Sequence, residues 1–324
     1  MAASFARAFA LVALLAVPLR GVAAQETPFC LESQAATAPP ETRPEGPVDI
    51  ITPHITDSHE LDLPYIKSPF VCKYVLPRWA PVHVGSLTID LSPTKHVVWL
   101  IVASILCCVA LLSAAAYHRR HLNDPRPPQG WAAGIEALVL YLRDTVVIPN
   151  VGPHGDTYTP YILTVFFFVL FANLCGLVPY GSTATGNIAV TLTLALISFV
   201  VIEVSGMITL GKGYWSTIFY WNHDLPILVR IPMAILMTPI EIVSKFTKPF
   251  ALTIRLFANM TAGHVVLLAL ISLVFTFGSY YIAVAPVVLG VAVSLLELFV
   301  AFLQAFIFAL LTAVFIGQIR QAAH

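Results

Sequence analysis

The sequence predicts an all-α membrane protein with five membrane-crossing helices, and three observations carry that prediction. Of 324 residues, 58% are apolar and only 10% are charged, against about 25% in an ordinary soluble domain. Mean hydropathy is +0.84. Several apolar stretches reach the roughly 20 residues that a helix needs to cross a bilayer. So few charges cannot solvate the surface of a soluble enzyme this long. Soluble globular, disordered and basic nucleic-acid-binding classes are excluded on the same ground.

Residues 1–24 read as a secretory signal. They hold no acid, run through the apolar stretch Ala8–Leu19, and end in the small residues Val22, Ala23 and Ala24 before Gln25. Arg7, Arg20 and Ser4 are the elements of the rival reading, a mitochondrial presequence, but the apolar block is too continuous for an amphipathic one. Residues 25–93 change character and form a small acidic extramembrane segment. It carries nine acidic and four basic residues and is rich in Pro, with short strands expected within Leu61–Val75 and Val82–Leu91. Cys30 and Cys72 lie here, whereas Cys107, Cys108 and Cys175 lie in apolar spans. A secretory signal would put this segment in an oxidising compartment, where Cys30 and Cys72 either form a disulfide or stay as two thiols.

Residues 94–324 hold the membrane part. A first span, Val97–Tyr117, is stopped by His118, Arg119, Arg120 and a Pro-rich turn. Trp131–Ile148 is too charged to cross, with Glu136, Arg143 and Asp144 among Ile135, Leu138, Leu142 and Val146, and reads as an interfacial amphipathic helix. Tyr158–Val178 and Ile188–Leu210 are two further spans joined by the uncharged turn PYGSTATGN. Leu225–Phe277 and Tyr280–Ile319 are the last two. A straight helix over Leu225–Phe277 would be about 80 Å long, against a hydrocarbon core of about 30 Å. It must tilt or break, with Pro232, Pro239 and Pro249 as candidate kinks. The expected form is a long tilted hairpin suited to wrapping another object. Arg119, Arg120, Arg126, Arg143, Lys212, Arg230, Lys245, Lys248 and Arg320 fall on one side, which the positive-inside rule makes the cytoplasm, or the matrix of a mitochondrion. The N-terminus is then outside and the C-terminus inside.

An ionisable residue within the bilayer is a functional candidate, since Arg at a helix centre costs about 2.5–3.5 kcal/mol on insertion scales. Arg255 is such a residue, with no acid in its own turn. At about 100° per residue, Asn259 and Glu241 share a broad face with it, and His264 takes the opposite face roughly 13 Å further along. Glu297 and Gln304, seven apart, share one face of the last helix. An antiparallel hairpin would let His264 meet Glu297 and Arg255 meet Gln304. The groups then segregate by depth, with Glu241 toward the inner side, Arg255 in the middle, and His264 with Glu297 toward the outer side.

The block RLFANMTAGH (Arg255–His264), preceded by TPIEIVSKFTKP and followed by LLELFVAFLQAFIFALLTAVFIG, resembles subunit a of the F-type ATP synthases. FANLCGLVP (Phe171–Pro179) is similar to a further segment of that family, and the likeness covers about Val97–Gln321. The resemblance implies a non-catalytic proton-channel subunit of the F0 sector in a bacterial inner membrane, or in a mitochondrial one. It would need no cofactor, would lie in lipid beside a ring of c subunits and a peripheral-stalk subunit b, and would serve the F1 catalytic sector only indirectly. Arg255 would face the ring carboxylates, with Asn259 and Gln304 orienting its guanidinium. His264 and Glu297, near Asn173, would form the outer half-channel relay, and Glu241 with Glu203 would line the inner one. The long acidic segment departs from the family pattern.

Ser244, Lys245 and Lys248 read as interfacial charges. GMITLGKG only mimics a phosphate-binding loop, because Gly213 stands where the motif needs Ser or Thr and a membrane helix precedes it. NMT at Asn259 is a glycosylation sequon by chance, since it lies within a span. A stand-alone secondary transporter using Arg255 for an anionic substrate would call for internal repeats, and none is found. A gain of two hydrogens on reduction, read by intact mass of the mature chain, is the expected mark of a Cys30–Cys72 disulfide.

Overall fold

The computed structural model describes residues 56–64, 71–79, 82–84, 87–90, 92–121, 129–152, 155–178, 181–219, 226–277 and 280–321. The expected signal and Cys30 lie outside these residues, and with them the Cys30–Cys72 pairing. Two small antiparallel hairpins come first: β1 (Glu60–Pro64) with β2 (Val71–Val75), and β3 (Val82–Val84) with β4 (Leu87–Ile89). Both regions expected to hold short strands thus take part in hairpins. The Lys95 amide donates to the Ser58 carbonyl at 2.9 Å, and the His59 ring lies 3.1 Å from the Pro93 carbonyl, so the segment is seated on the helix that follows. The hydroxyl and amide of Ser92 both donate to Asp90, holding its carboxyl below the usual range.

Helix α1 (Lys95–Arg120) ends in Arg119 and Arg120, cations that suit a helix C-terminus. The expected interfacial helix is α2 (Trp131–Tyr141), but it does not continue regularly. A π-helical stretch, Leu142–Val147, follows, and then α3 (Ile148–Val151). The wider winding lets Leu142, Val146, Val147 and Val151 all face the core while Asp144 stays exposed. The second half of this segment is wedged beneath the C-terminal helix.

Helices α4 (Thr159–Gly176), α5 (Ile188–Leu210), α6 (Ile227–Phe277) and α7 (Tyr280–Gln321) complete the fold. Five helices, α1 and α4–α7, are long and apolar enough to cross a membrane, as the sequence predicts. Asn187 caps α5 by accepting from the Ala189 amide at 2.9 Å. Pro232, Pro239 and Pro249 lie inside α6, and Pro286 inside α7.

Helices α6 and α7 pack antiparallel. Lys248 donates to Gln318 at 3.2 Å near one end, and His264 lies 3.9 Å from Glu297 toward the other. Helix α4 packs along α7, and α5 packs on both α6 and α7. Small residues make these approaches close: Ala301, Ala305, Ala309 and Ala313 are fully buried at fourfold spacing on α7. Leu252, Leu256 and Met260 turn one stripe of α6 toward the same core, which leaves Ile254, Phe250 and Phe246 exposed on the other side.

A Cβ at Gly317 would overlap the Asn150 carbonyl, whereas one at Gly134 would meet nothing within 4 Å. Gly317→Ala is therefore expected to lower stability by about 1–3 kcal/mol, read as a lower midpoint in thermal unfolding of the detergent-solubilised protein. Gly134→Ala is expected to leave that midpoint unchanged or slightly raised.

Candidate functional site

The polar groups of the membrane part collect in two clusters with one arginine between them. The first cluster lies toward the hairpin end. Glu297 on α7 is 5% exposed and meets His264 of α6, Nδ1 to Oε1, at 3.9 Å. Its carboxyl packs on the backbone of Gly263, where an added Cβ would come within 3.1 Å of Cδ and Oε1. A side chain there would oblige the carboxyl to shift by a few tenths of an ångström. Glu297 Oε1 and Thr261 Oγ1 are buried and make no hydrogen bond among the described residues. Asn173 on α4 is fully buried, and its amide donates to the carbonyl of Ala301, one turn from Glu297, at 3.3 Å. Thr185 donates to the Asn173 carbonyl oxygen at 2.8 Å from the 3₁₀ turn Ala184–Gly186.

This cluster continues to the surface. Ser182 Oγ lies 3.3 Å from Nδ1 of His96, the second residue of α1, and Nε2 of His96 lies 3.8 Å from Asp57. Asn187 also donates to Asp57, at 3.3 Å.

The second cluster lies toward the end bearing Arg119 and Arg120. Glu203 on α5 is buried and accepts from Lys245 Nζ at 3.1 Å and from the Tyr214 hydroxyl. Lys245 also donates to Thr217 at 3.3 Å and sits 4.7 Å above the Tyr214 ring. Tyr214 and Thr217 belong to the 3₁₀ turn Gly211–Thr217 after α5. Burial, then the bond to Glu203, pushes the Tyr214 phenol well above its usual range, so it stays a donor. A cavity of about 170 Å³ opens beside this cluster between α5, α6 and α7, with Glu241, Lys248 and Gln318 on its wall. The expectation that Lys245 is merely interfacial is thus corrected: burial obliges it to pair, and Glu203 is its partner.

Arg255 is exposed on α6 between the clusters, and no hydrogen bond or ion pair among the described residues engages it. Asn259 and Glu241 are exposed on the same helix. Gln304 is 4% exposed and does not reach Arg255. The register explains why. Interpolated between the Lys248–Gln318 and His264–Glu297 contacts, Arg255 is level with about residue 309 and Gln304 with about residue 259. Gln304 therefore shares its depth with Asn259, about one turn from Arg255.

Of the eight residues the sequence singles out, His264, Glu297 and Asn173 come together, Glu203 and Glu241 border one cavity, and Arg255 stands apart. His96, Ser182, Thr185, Thr261 and Tyr214 were not singled out. The three hydroxyls of the turn at 182–185, uncharged and set between two apolar spans, are the signal that marks some of them.

A family model described as ATP synthase A chain matches residues 97–317. Named relatives are similar over most of the chain. "ATP synthase subunit a 2" of Chlorobaculum tepidum is 42% identical over 295 residues, covering 90% of this chain and 78% of the relative. "ATP synthase subunit a" of Chlorobium phaeobacteroides is 46% identical over 272 residues, covering 83% and 74%. "ATP synthase subunit a 2" of Prosthecochloris aestuarii is 42% identical over 321 residues, covering 97% and 92%.

The Glu203–Lys245 pair yields a test of its own. Lys245→Met strands a buried carboxylate and is expected to destabilise the protein by about 3–5 kcal/mol in thermal unfolding. Adding Glu203→Gln in the same chain is expected to recover much of that loss.

Proposed function

The chain belongs to the ATP synthase A chain family, and on that premise we propose that it is the proton-conducting stator subunit of an F-type ATP synthase membrane sector. In this reading it lies beside a ring of c subunits, is held by the peripheral stalk through subunit b, and drives rotation coupled to ATP synthesis. The family and the five apolar helices already make it a multi-pass membrane subunit of that complex. Its residues 1–24 act as a secretory signal, its acidic segment and N-terminus face the outside of a bacterial inner membrane, and its basic end faces the cytoplasm.

One observation carries the proposal. Arg255 stands exposed on α6 between two polar clusters that share no hydrogen bond among the described residues. A conducting path made of two blind halves needs such a break, because a continuous polar column would leak protons without turning anything. Protons arriving from the outer side pass Asn173 and reach Glu297 through His264. Imidazole and carboxyl both exchange protons within reach of physiological pH, and the unsatisfied Glu297 Oε1 and Thr261 Oγ1 suit a hydrated passage. The glutamate then delivers the proton to a ring carboxylate. On the other side the cavity beside Glu241 and Glu203 receives protons from a ring carboxylate and opens toward the cytoplasm.

Arg255 separates the two events. A guanidinium about 4 Å from a ring carboxylate, at an effective dielectric near 20, favours its ionised form by about 4 kcal/mol, or about three pKa units. That strips the proton from each carboxylate passing into the inner half-channel, and the fixed cation repels a proton taking the short route. Asn259, exposed about one turn away on the same helix, orients the guanidinium as it turns toward the ring. Glu203 contributes by closing the wall of the cavity with Lys245, its carboxylate held by two donors.

Arg255→Ala is expected to abolish ATP-driven proton pumping in membrane vesicles while ATP hydrolysis by the detached catalytic sector continues unchanged. Coupled pumping at the parental rate would refute the proposal.

A further inference from the structure

The outer cluster does not begin at His264. It continues through Ser182 to His96 and ends at Asp57, in the acidic segment that the family resemblance leaves without a role. His96 is 3% exposed, while the side chain of Asp57 is 32% exposed, so the pair spans the boundary between solvent and the protein interior. The two ring nitrogens face opposite ways. Nε2 points to Asp57 and the solution, and Nδ1 points to Ser182 and the buried hydroxyls behind it. Next in line, Thr183 Oγ1 is buried without a hydrogen bond among the described residues, and Thr185 bonds to Asn173. Gly186 closes the gap to α6, where an added Cβ would lie 3.7 Å from Thr261 Oγ1.

We propose that His96, positioned by Asp57, is the first proton-exchanging residue on the outer side of this chain's path. The inference rests on the proton-conducting reading above. A proton from the solution adds at Nε2, the imidazolium gives up the proton on Nδ1 toward Ser182, and the ring returns to neutrality as the other tautomer. The balance is one proton in and one out. Asp57 and Lys95 are the charged groups acting on the ring among the described residues; the connection between α4 and α5 brings the hydroxyl of Ser182 to the ring and the amide of Asn187 to Asp57. Asp57 is itself held by Asn187, so the acidic segment fixes the height at which the carboxylate meets the ring. The segment thereby supplies the carboxylate at the mouth of the path.

The test uses whole ATP synthase in proteoliposomes, with the hairpin side facing the lumen, and reads the initial rate of ATP synthesis against luminal pH. His96→Ala is expected to slow synthesis about tenfold or more, and imidazole loaded in the lumen is expected to restore it without affecting the parent. Asp57→Asn, which leaves the ring in place, is expected to move the pH of half-maximal rate downward, because a carboxylate beside an imidazole favours its protonated form. A His96→Ala enzyme that runs at the parental rate, or one slowed but unresponsive to imidazole, overturns the assignment. So does an Asp57→Asn enzyme with an unmoved pH profile, which stands as the deciding result should His96→Ala not assemble. Arg255→Ala in the same proteoliposomes separates the two levels. If it still makes ATP, the proton-conducting reading itself falls; if it does not and His96→Ala behaves as the parent, only the His96 assignment falls.

Discussion

The antiparallel register of α6 on α7 is the constraint from which the rest follows. Two side-chain contacts near its ends, Lys248 with Gln318 and His264 with Glu297, set the depth of every polar group between them. Sliding one helix by a single turn, about 5.4 Å, would break both. It would also carry Glu297 away from Gly263, whose bare backbone is what makes room for the carboxyl. The alanine seam of α7 holds that register by letting neighbouring helices approach to backbone distance, where packing replaces the hydrophobic drive that lipid does not supply. Polar chemistry and apolar packing are thus one problem. The stripe Leu252, Leu256 and Met260 faces the core, and by facing it turns Arg255 outward.

Much of this was legible in the sequence, because in hydrocarbon the rules are few. Length and hydropathy mark the five crossing helices, and basic turns mark one end. Arg255, His264 and Glu297 stand out since a titratable group in lipid is costly enough to need a reason. Equal counting outward from Gly278 sets His264 opposite about residue 292 and Arg255 opposite about residue 301, each within about a turn and a half of its expected partner. The His264–Glu297 contact forms, whereas Gln304 makes no hydrogen bond with Arg255 among the described residues. Between the Lys248–Gln318 and His264–Glu297 contacts α6 advances 16 residues and α7 advances 21, a difference of about a turn and a half that no residue pattern announces.

Other features were hidden for different reasons. The π-helical stretch at Leu142–Val147 has no residue signature of its own; its wider winding brings residues five apart, Leu142 with Val147 and Val146 with Val151, to the same buried face. Lys245 looked interfacial because its neighbours in sequence are mixed, and only the fold brings Glu203 to it. Asp57 and His96 are separated by a segment whose hairpins fold back on α1, a closure that no local pattern announces. In each case the missing information is tertiary: which far residue a polar group will find.

The Glu203–Lys245 pair also bears on how the chain enters the membrane. The two residues are 42 apart, and at a synthesis rate of about 5–20 residues per second the glutamate waits several seconds for its partner. During that interval α5 is offered to the bilayer carrying an acid with no counter-charge from α6, while α6, with Arg230, Lys245, Lys248 and Arg255 against Glu241 alone, follows with a surplus of base. Neither helix is a comfortable lipid guest by itself. The pairing of Glu203 with Lys245 thus makes the cost of burying either charge depend on the presence of the other helix.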